Sequence, residues 1–391
     1  MRHLPLLSSL LLTGCGVSQD PGTPYVGALY AMTNAENGNA VVHYGRGADG
    51  ALTRLASVAT GGDGVGAKML PGRTQDSVNP LNSSNALKLS PDKRFVFAVN
   101  AGSNTVTSFR VNADFSLTRV DVEPSGGLAP NAIAVHGDLL YVANAGNAAA
   151  GTPATLTGFR VDTAGGLAPL VNSRRTLAHP GTSLPTELLF SPDGARLLAS
   201  DFTTSVVSLF PVGADGTLGA PTHSPSAAPN PFQAQFLDPD TVIVSEANGG
   251  TRDISGLSSY RVEAGGALTP ISGAVSDAQA ASCWVVLTPD HRYAYTSNTT
   301  SGSVSAYRVG ENGELTLLAS VAARRDPQGG LPTSGPIDMA VSEDGRFLYQ
   351  QFGGLGVTAA YRIGEGGSLT PVTGGDGAGL PAPGAQGLAG F

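Results

Sequence analysis

The sequence has few of the residues that build disulfide, metal or nucleic-acid sites. Only two cysteines, Cys15 and Cys283, occur among its 391 residues. Charged residues make up 13% of the chain and the net charge is −8, which provides no basic surface for nucleic acid. The histidines lack metal-ligand spacing, and P-loop, Rossmann and nucleophile-elbow motifs are absent. We therefore expect no metal, no other cofactor and no nucleic-acid partner.

The first residues resemble the signal of a bacterial lipoprotein. A basic start is followed by an apolar run, residues 4–12, that is too short to span a bilayer. Leu-Thr-Gly-Cys at 12–15 resembles a lipobox, which implies cleavage before Cys15 and acylation of that residue. The alternative is an ordinary secretory signal with an incidental cysteine. The resemblance predicts an exported protein anchored in the cell envelope, in the periplasm or at the cell surface, with this division: signal peptide 1–14, tether 15–24, mature domain 25–391.

Cys283 is the other cysteine, and it lies in an apolar run beside Trp284. If Cys15 carries lipid, Cys283 has no disulfide partner. Its apolar surroundings predict a buried, unreactive thiol rather than a nucleophile.

An internal repeat dominates the rest of the chain. An aromatic residue, usually followed by Arg and an aliphatic residue, recurs about every 50 residues, at Tyr44, Phe109, Phe159, Phe210, Tyr260, Tyr307 and Tyr361. A leucine follows each aromatic by eight residues, and in six copies a glycine lies between them. Glycine accepts the positive φ angle of a tight hairpin, so each copy predicts two strands joined by a turn.

A second hairpin precedes each aromatic, with turns such as Ser90-Pro91-Asp92 between apolar runs. Each repeat therefore predicts four antiparallel strands, and seven repeats predict an all-β, seven-bladed propeller. The first copy lacks its innermost strand, and the tail 387–391 has no blade of its own. We therefore expect the carboxy-terminal strand to complete the first blade and close the ring.

Turn lengths indicate where ligands bind. Turns after the first and third strands of each blade are short and uniform, whereas those on the opposite face vary in length. Variable loops on a rigid scaffold commonly carry function, although drift without selection is the alternative. Residues that begin the innermost strands should line the channel mouth on this variable face, and the binding candidates there are Asn85, Asn131, Thr186, Gln233 and Trp284.

Several candidates have a specific chemistry. Glu187 and Asp338 could form an acid/base pair or hold a cation, and Trp284 could stack on a sugar ring. The alternative is that all are channel residues bonded to trapped water. In the variable loops, Arg175, His179 and Arg325 could bind an anionic ligand, although solvated basic pairs are also common there.

Two motifs carry a family resemblance. Ser-Pro-Asp-Lys-Arg-Phe-Val-Phe-Ala-Val-Asn at 90–100 and Ser-Val-Ser-Ala-Tyr-Arg-Val-Gly-Glu-Asn-Gly-Glu-Leu-Thr at 303–316 resemble the β-propeller lactonases, a family that includes 6-phosphogluconolactonases and carboxymuconate-cycloisomerising enzymes. The resemblance implies a lactone hydrolase at the channel mouth. Active members carry Pro-His-x-His before the fourth innermost strand, but this chain has no histidine at 183–187, and His179 is out of register.

Two functional hypotheses follow. The first is a monomeric envelope scaffold with a degenerate catalytic site, which binds an envelope protein or a small carbohydrate-like ligand. The second is an envelope lactonase that uses Glu187, Asp338 and a loop arginine. Export argues against a cytosolic phosphosugar as the substrate.

Overall fold

The computed structural model describes residues 25–251 and 254–391. The predicted signal peptide, the tether and Cys15 lie outside these residues. The described chain forms seven antiparallel sheets arranged as the blades of one propeller, which confirms the predicted fold.

The first four blades each run from an innermost strand at the channel to an outermost strand. In that order, blade 1 contains Leu388–Gly390, Gly27–Met32, Ala40–Arg46 and Leu52–Ala59. Blade 2 contains Leu87–Leu89, Phe95–Asn100, Thr105–Val111 and Leu117–Pro124. Blade 3 contains Pro130–His136, Leu139–Asn144, Thr155–Val161 and a split outer strand, Leu167–Pro169 with Arg175–Thr176. Blade 4 contains Pro185–Phe190, Arg196–Asp201, Val206–Pro211 and Thr222–Pro225.

The last three blades complete the ring. Blade 5 contains Pro231–Asp238, Thr241–Glu246, Gly256–Val262 and Leu268–Ser276. Blade 6 contains Ser282–Leu287, Tyr293–Asn298, Ser303–Val309 and Leu315–Arg324. Blade 7 contains Pro336–Val341, Phe347–Phe352, Val357–Ile363 and Leu369–Pro371. The helical turns are Ala148–Ala150, Asn248–Gly250 and Glu365–Gly367, and no helix of the described residues is long and apolar enough to cross a membrane.

The repeated aromatic residues form the core between the blades. All seven are buried on the third strand of their blade. The glycine of the following turn has a positive φ in each of the six copies that carry it, and the exception, Phe115, adopts the same conformation with φ of 66°. At Gly50 a Cβ atom would lie 2.3 Å from the Phe347 ring of blade 7, so this turn needs glycine for space as well as conformation.

The carboxy-terminal strand closes the ring, as the sequence predicts. Leu388–Gly390 pairs with Gly27–Met32 in an antiparallel ladder that joins Tyr30 to Ala389. The Phe391 amide donates to the Ala28 carbonyl at 3.1 Å, and Arg46 Nε donates to the Phe391 carbonyl at 3.0 Å. This pairing removes an open sheet edge from blade 1.

Candidate functional site

Side chains at the starts of the innermost strands connect each blade to the next. The links, in order from blade 2 round to blade 1 and back, are Ser83 Oγ to Asn131 O, Asn131 Nδ2 to Pro185 O, Thr186 Oγ1 to Pro231 O, Val285 N to Gln233 Oε1, Trp284 Nε1 to Asp338 Oδ1, Gly387 N to Asp338 Oδ2, and Leu81 N to Gln386 Oε1. We call this ring of bonds the inter-blade belt. Because buried polar groups need partners, the belt explains why polar residues interrupt apolar strands at these positions.

Five of the seven candidate residues at the channel mouth form bonds of the inter-blade belt. Asn131, Thr186, Gln233, Trp284 and Asp338 each hold a neighbouring blade through a side-chain atom. The Trp284 side chain has no exposed surface, and its ring packs 4.7 Å from the Phe232 ring. The expectation that this indole stacks on a ligand therefore does not fit its position.

The channel is closed on the variable face by residues 78–85, which we call the crossing segment. Ser84 N, from blade 2, donates to the Thr186 carbonyl of blade 4 at 2.8 Å. Blades 2 and 4 are not neighbours in the ring, so this bond passes over the channel. At the other end of the segment, Val78 packs against Gly335 of blade 7, where a Cβ atom would lie 2.6 Å from it. The open mouth predicted on this face is therefore filled by the chain itself.

The channel is open on the opposite face, between the short turns. A cavity of about 350 Å³ lies there, lined by the innermost strands of several blades and by the turns at Pro91 and Pro289. A second cavity of about 320 Å³ shares Lys88 and Pro91 with the first. Turn lengths in the sequence predict a site on the variable face, whereas the structure places this cavity at the other end of the channel.

Lys88 is the charged residue that both cavities share, and it was not among the candidates predicted from the sequence. Its Nζ atom donates to Asn85 Oδ1 at 3.0 Å. Asn85 Nδ2 in turn donates to the Glu187 carboxylate, which fixes the amide with its oxygen toward Lys88. The sequence did contain a signal for this residue, namely a lysine between two leucines in a predicted innermost strand. Burying a charged side chain in such a strand costs free energy, so its presence there indicates a role.

The two predicted acids lie behind this cavity. Glu187 is fully buried and accepts hydrogen bonds from Ser84 and Asn85, and Asp338 accepts both of its bonds within the belt. Burial raises the pKa of Glu187 to about 8 and that of Asp338 to about 7. Burial also lowers the pKa of Lys88, against the opposing charges of both acids. Glu187, Asp338 and Lys88 therefore favour their neutral forms more than the same side chains do in water.

These shifts predict a pH-dependent stability. Glu187 has its pKa raised from 4.5 to about 8, so the folded state binds the proton more tightly than the unfolded state. The free energy of unfolding should therefore fall as pH rises from about 4.5 to 8. In Glu187→Gln this fall should be shallower, measured by urea unfolding at several pH values. An equal slope in both proteins would contradict the assignment.

The loop candidates lie away from these cavities. Arg175 pairs with Leu156 on the outer side of blade 3, and its Nε donates to the Leu218 carbonyl at 2.8 Å. Arg325 forms an ion pair with Asp376 at 2.9 Å, and His179 is exposed. None of the three lines the cavities at Lys88. Within residues 25–251 and 254–391, no group of three or more His, Cys, Asp or Glu residues is placed to hold a metal ion.

Cys283 is buried, and burial raises the pKa of its thiol to about 12. A thiol with a raised pKa is a poor nucleophile. The position agrees with the sequence-based prediction of an unreactive thiol.

Comparison with known proteins identifies the family to which this fold belongs. The sequence profile described as "Lactonase, 7-bladed beta-propeller" matches residues 26–150 and 137–376. A 6-phosphogluconolactonase of Pectobacterium carotovorum is 24% identical over 289 residues, which cover 72% of this chain and 81% of that one. The solved structure of the Pseudomonas aeruginosa periplasmic gluconolactonase has a TM-score of 0.67 and 19% identity, with 93% of this chain and 99% of that one covered. A Bacteroides uniformis structure, provisionally named a 6-phosphogluconolactonase, has a TM-score of 0.70 and 18% identity over 93% and 99% of the two chains. The chain therefore belongs to the seven-bladed β-propeller lactonase family.

Proposed function

We propose that this propeller binds a small sugar-derived molecule, either a lactone or the corresponding sugar acid, in the central cavity beside Lys88. The supporting observation is a cavity of about 350 Å³ whose lining combines the amino groups of Lys88 and Lys93 with the amides of Asn85, Gln233 and Gln235. That volume is in the range of small-molecule sites, which commonly pair an apolar wall with a few fixed polar groups.

The lining suits a polyhydroxylated ligand with a carbonyl or carboxylate group. Lys88 supplies a donor to that oxygen, and Gln235 offers both a donor and an acceptor for hydroxyl groups. Val286, Leu287 and Met339 form an apolar wall against the carbon skeleton. We infer binding rather than turnover as the main role, because the two carboxyl groups are enclosed behind the cavity and already accept hydrogen bonds.

Lys88→Met tests the binding proposal. It should weaken the binding of D-gluconate, measured by isothermal titration calorimetry, by at least about tenfold, because a charge-assisted hydrogen bond contributes about 1.5–3 kcal/mol. Lys68→Met is the matched control, since Lys68 is exposed and paired with Asp76, and it should bind as the wild type does. Equal affinity in all three proteins, or no binding of gluconate and gluconolactone by the wild type, would reject the proposal.

Lactone hydrolysis is the second candidate, and the observation that favours it is the Lys88 amine at the cavity wall. Its lowered pKa would let it accept a proton from a water that attacks the lactone carbonyl. The histidine segment of active family members gives no support to hydrolysis, because this chain has no histidine at 183–187. Thr186 lies in that stretch, and its hydroxyl is bonded within the inter-blade belt. A lactone panel assayed for acid release decides between the two candidates: turnover that is lost in Lys88→Met supports hydrolysis.

We also propose that the protein is an exported lipoprotein anchored through Cys15, with envelope partners within reach. The lipobox-like residues 12–15 support this, and the name of the Pseudomonas relative places that protein in the periplasm. In a bacterial host, Cys15→Ser should abolish palmitate labelling and release the protein from the membrane fraction. Unchanged labelling would contradict the anchor proposal and would not affect the binding proposal.

A further inference from the structure

Lysine is rare in this chain, and one lysine, Lys88, lies on an innermost strand of the channel. The sequence has three lysines, Lys68, Lys88 and Lys93, whereas its other 19 basic residues, histidine aside, are arginines. Arginine remains charged under all ordinary conditions, but a desolvated lysine can lose its proton and become a nucleophile. Lys88 is therefore a basic residue of the type that can also act as a nucleophile.

The three lysines differ in their partners. Lys68 pairs with Asp76 at 2.7 Å, and Lys93, which lies in the turn at the rim of the same cavity as Lys88, pairs with Glu343, so both amines face a carboxylate. Lys88 makes no ion pair with any described residue, and its amine donates instead to the neutral oxygen of Asn85 at 3.0 Å. Lys88 is half-buried and lines both cavities.

Lys88 is half-buried, and the wall beside it is mostly uncharged. Leu87 and Leu89 flank it in the strand, and Met339 lies in the same cavity wall. The titratable groups near it are Glu187 and Asp338 behind the wall, and His136 and Lys93 along the cavities. Desolvation favours the neutral amine and the two acids oppose this, with desolvation the larger effect, so the pKa of Lys88 is lowered.

We propose that Lys88 captures small aldehydes and ketones, including open-chain sugars, as imines in the central cavity. The neutral amine attacks the carbonyl carbon and forms a C–N bond, and an amine proton moves to the oxygen to give a carbinolamine. Loss of that hydroxyl group with a second proton releases one water and leaves the C=N bond. The step needs no oxidant or reductant, and it is separate from non-covalent binding of a sugar acid.

Reductive trapping tests the proposal on the wild-type full-length chain. The protein is incubated with glycolaldehyde and sodium cyanoborohydride at pH 7, and modification at each lysine is followed by peptide mass spectrometry. Lys88 should react measurably faster than Lys68 and Lys93, by more than those two differ from each other, because a lowered pKa leaves a larger fraction of the amine neutral at pH 7. The advantage should shrink above about pH 10, where ordinary lysines also lose their protons.

Two outcomes separate this proposal from the others. Modification of Lys88 at the same rate as Lys68 and Lys93, or more slowly, overturns it, whatever the result with gluconate. In Lys88→Arg the fast reaction should vanish while Lys68 and Lys93 react as before, which also shows that the variant keeps its surface intact. Fast trapping without gluconate binding would retain the imine proposal and reject the sugar-acid site.

Discussion

Deletion of residues 386–391 is expected to abolish cooperative folding of the propeller. The deleted segment supplies the innermost strand of blade 1 and the Gln386 and Gly387 links of the belt. It also buries Leu388 and Ala389 against the core. At about 1 kcal/mol for each hydrogen bond and 1.5–3 kcal/mol for a buried leucine, the loss reaches about 5 kcal/mol, which is comparable to the whole stability of many domains. Calorimetry should show no single sharp transition.

A circular permutant is the control for this deletion. Gly27 lies directly against the Phe391 carbonyl, so a short linker can join residues 391 and 25, with new ends opened in the exposed turn at 148–150. This protein keeps every strand and should unfold cooperatively near the wild-type temperature. If the truncated chain melted as sharply and as high as the permutant, ring closure by this strand would not be a source of stability.

Asp338→Ala should be the most damaging single substitution in the channel, with a loss of about 3 kcal/mol in the free energy of unfolding. Its carboxylate accepts from Trp284 Nε1 at 3.1 Å and from the Gly387 amide at 2.9 Å. Alanine leaves both buried donors without an acceptor, and each such group costs about 1–3 kcal/mol. Denaturant unfolding of the variant gives the value directly.

Two further variants show whether the belt causes this loss. Asp338→Asn keeps one carbonyl oxygen and should lose less than the alanine variant. Asp326→Ala removes an exposed carboxylate that pairs with Arg324, and surface pairs of this kind contribute little. A small effect of Asp338→Ala, close to that of Asp326→Ala, would show that the belt does not hold blades 6, 7 and 1 together.

The fold could be predicted from the sequence because each blade repeats the same local signals. A buried aromatic and a turn glycine recur in register, and each constrains only its own hairpin and the neighbouring blade. Even Phe115, which breaks the glycine pattern, keeps the positive φ of the turn. The missing strand of the first copy then required the tail to complete the ring.

The site was harder to predict because it depends on contacts between distant parts of the chain. Sequence spacing placed Glu187 and Asp338 correctly at the starts of innermost strands, but it could not show that Ser84 crosses the channel to blade 4. That crossing closes the variable face and makes the short-turn face the accessible end. Trp284 was misjudged for the same reason, because its partner Asp338 lies 54 positions away in sequence.

The most direct test of the proposed site is a crystal structure of the protein with bound D-gluconate. We predict ligand density in the central cavity, with a carboxylate or hydroxyl oxygen within hydrogen-bond distance of Lys88 Nζ, and residues 78–85 still across the far end of the channel. Ligand bound among the variable loops, with that segment displaced and Lys88 without contact, would contradict it.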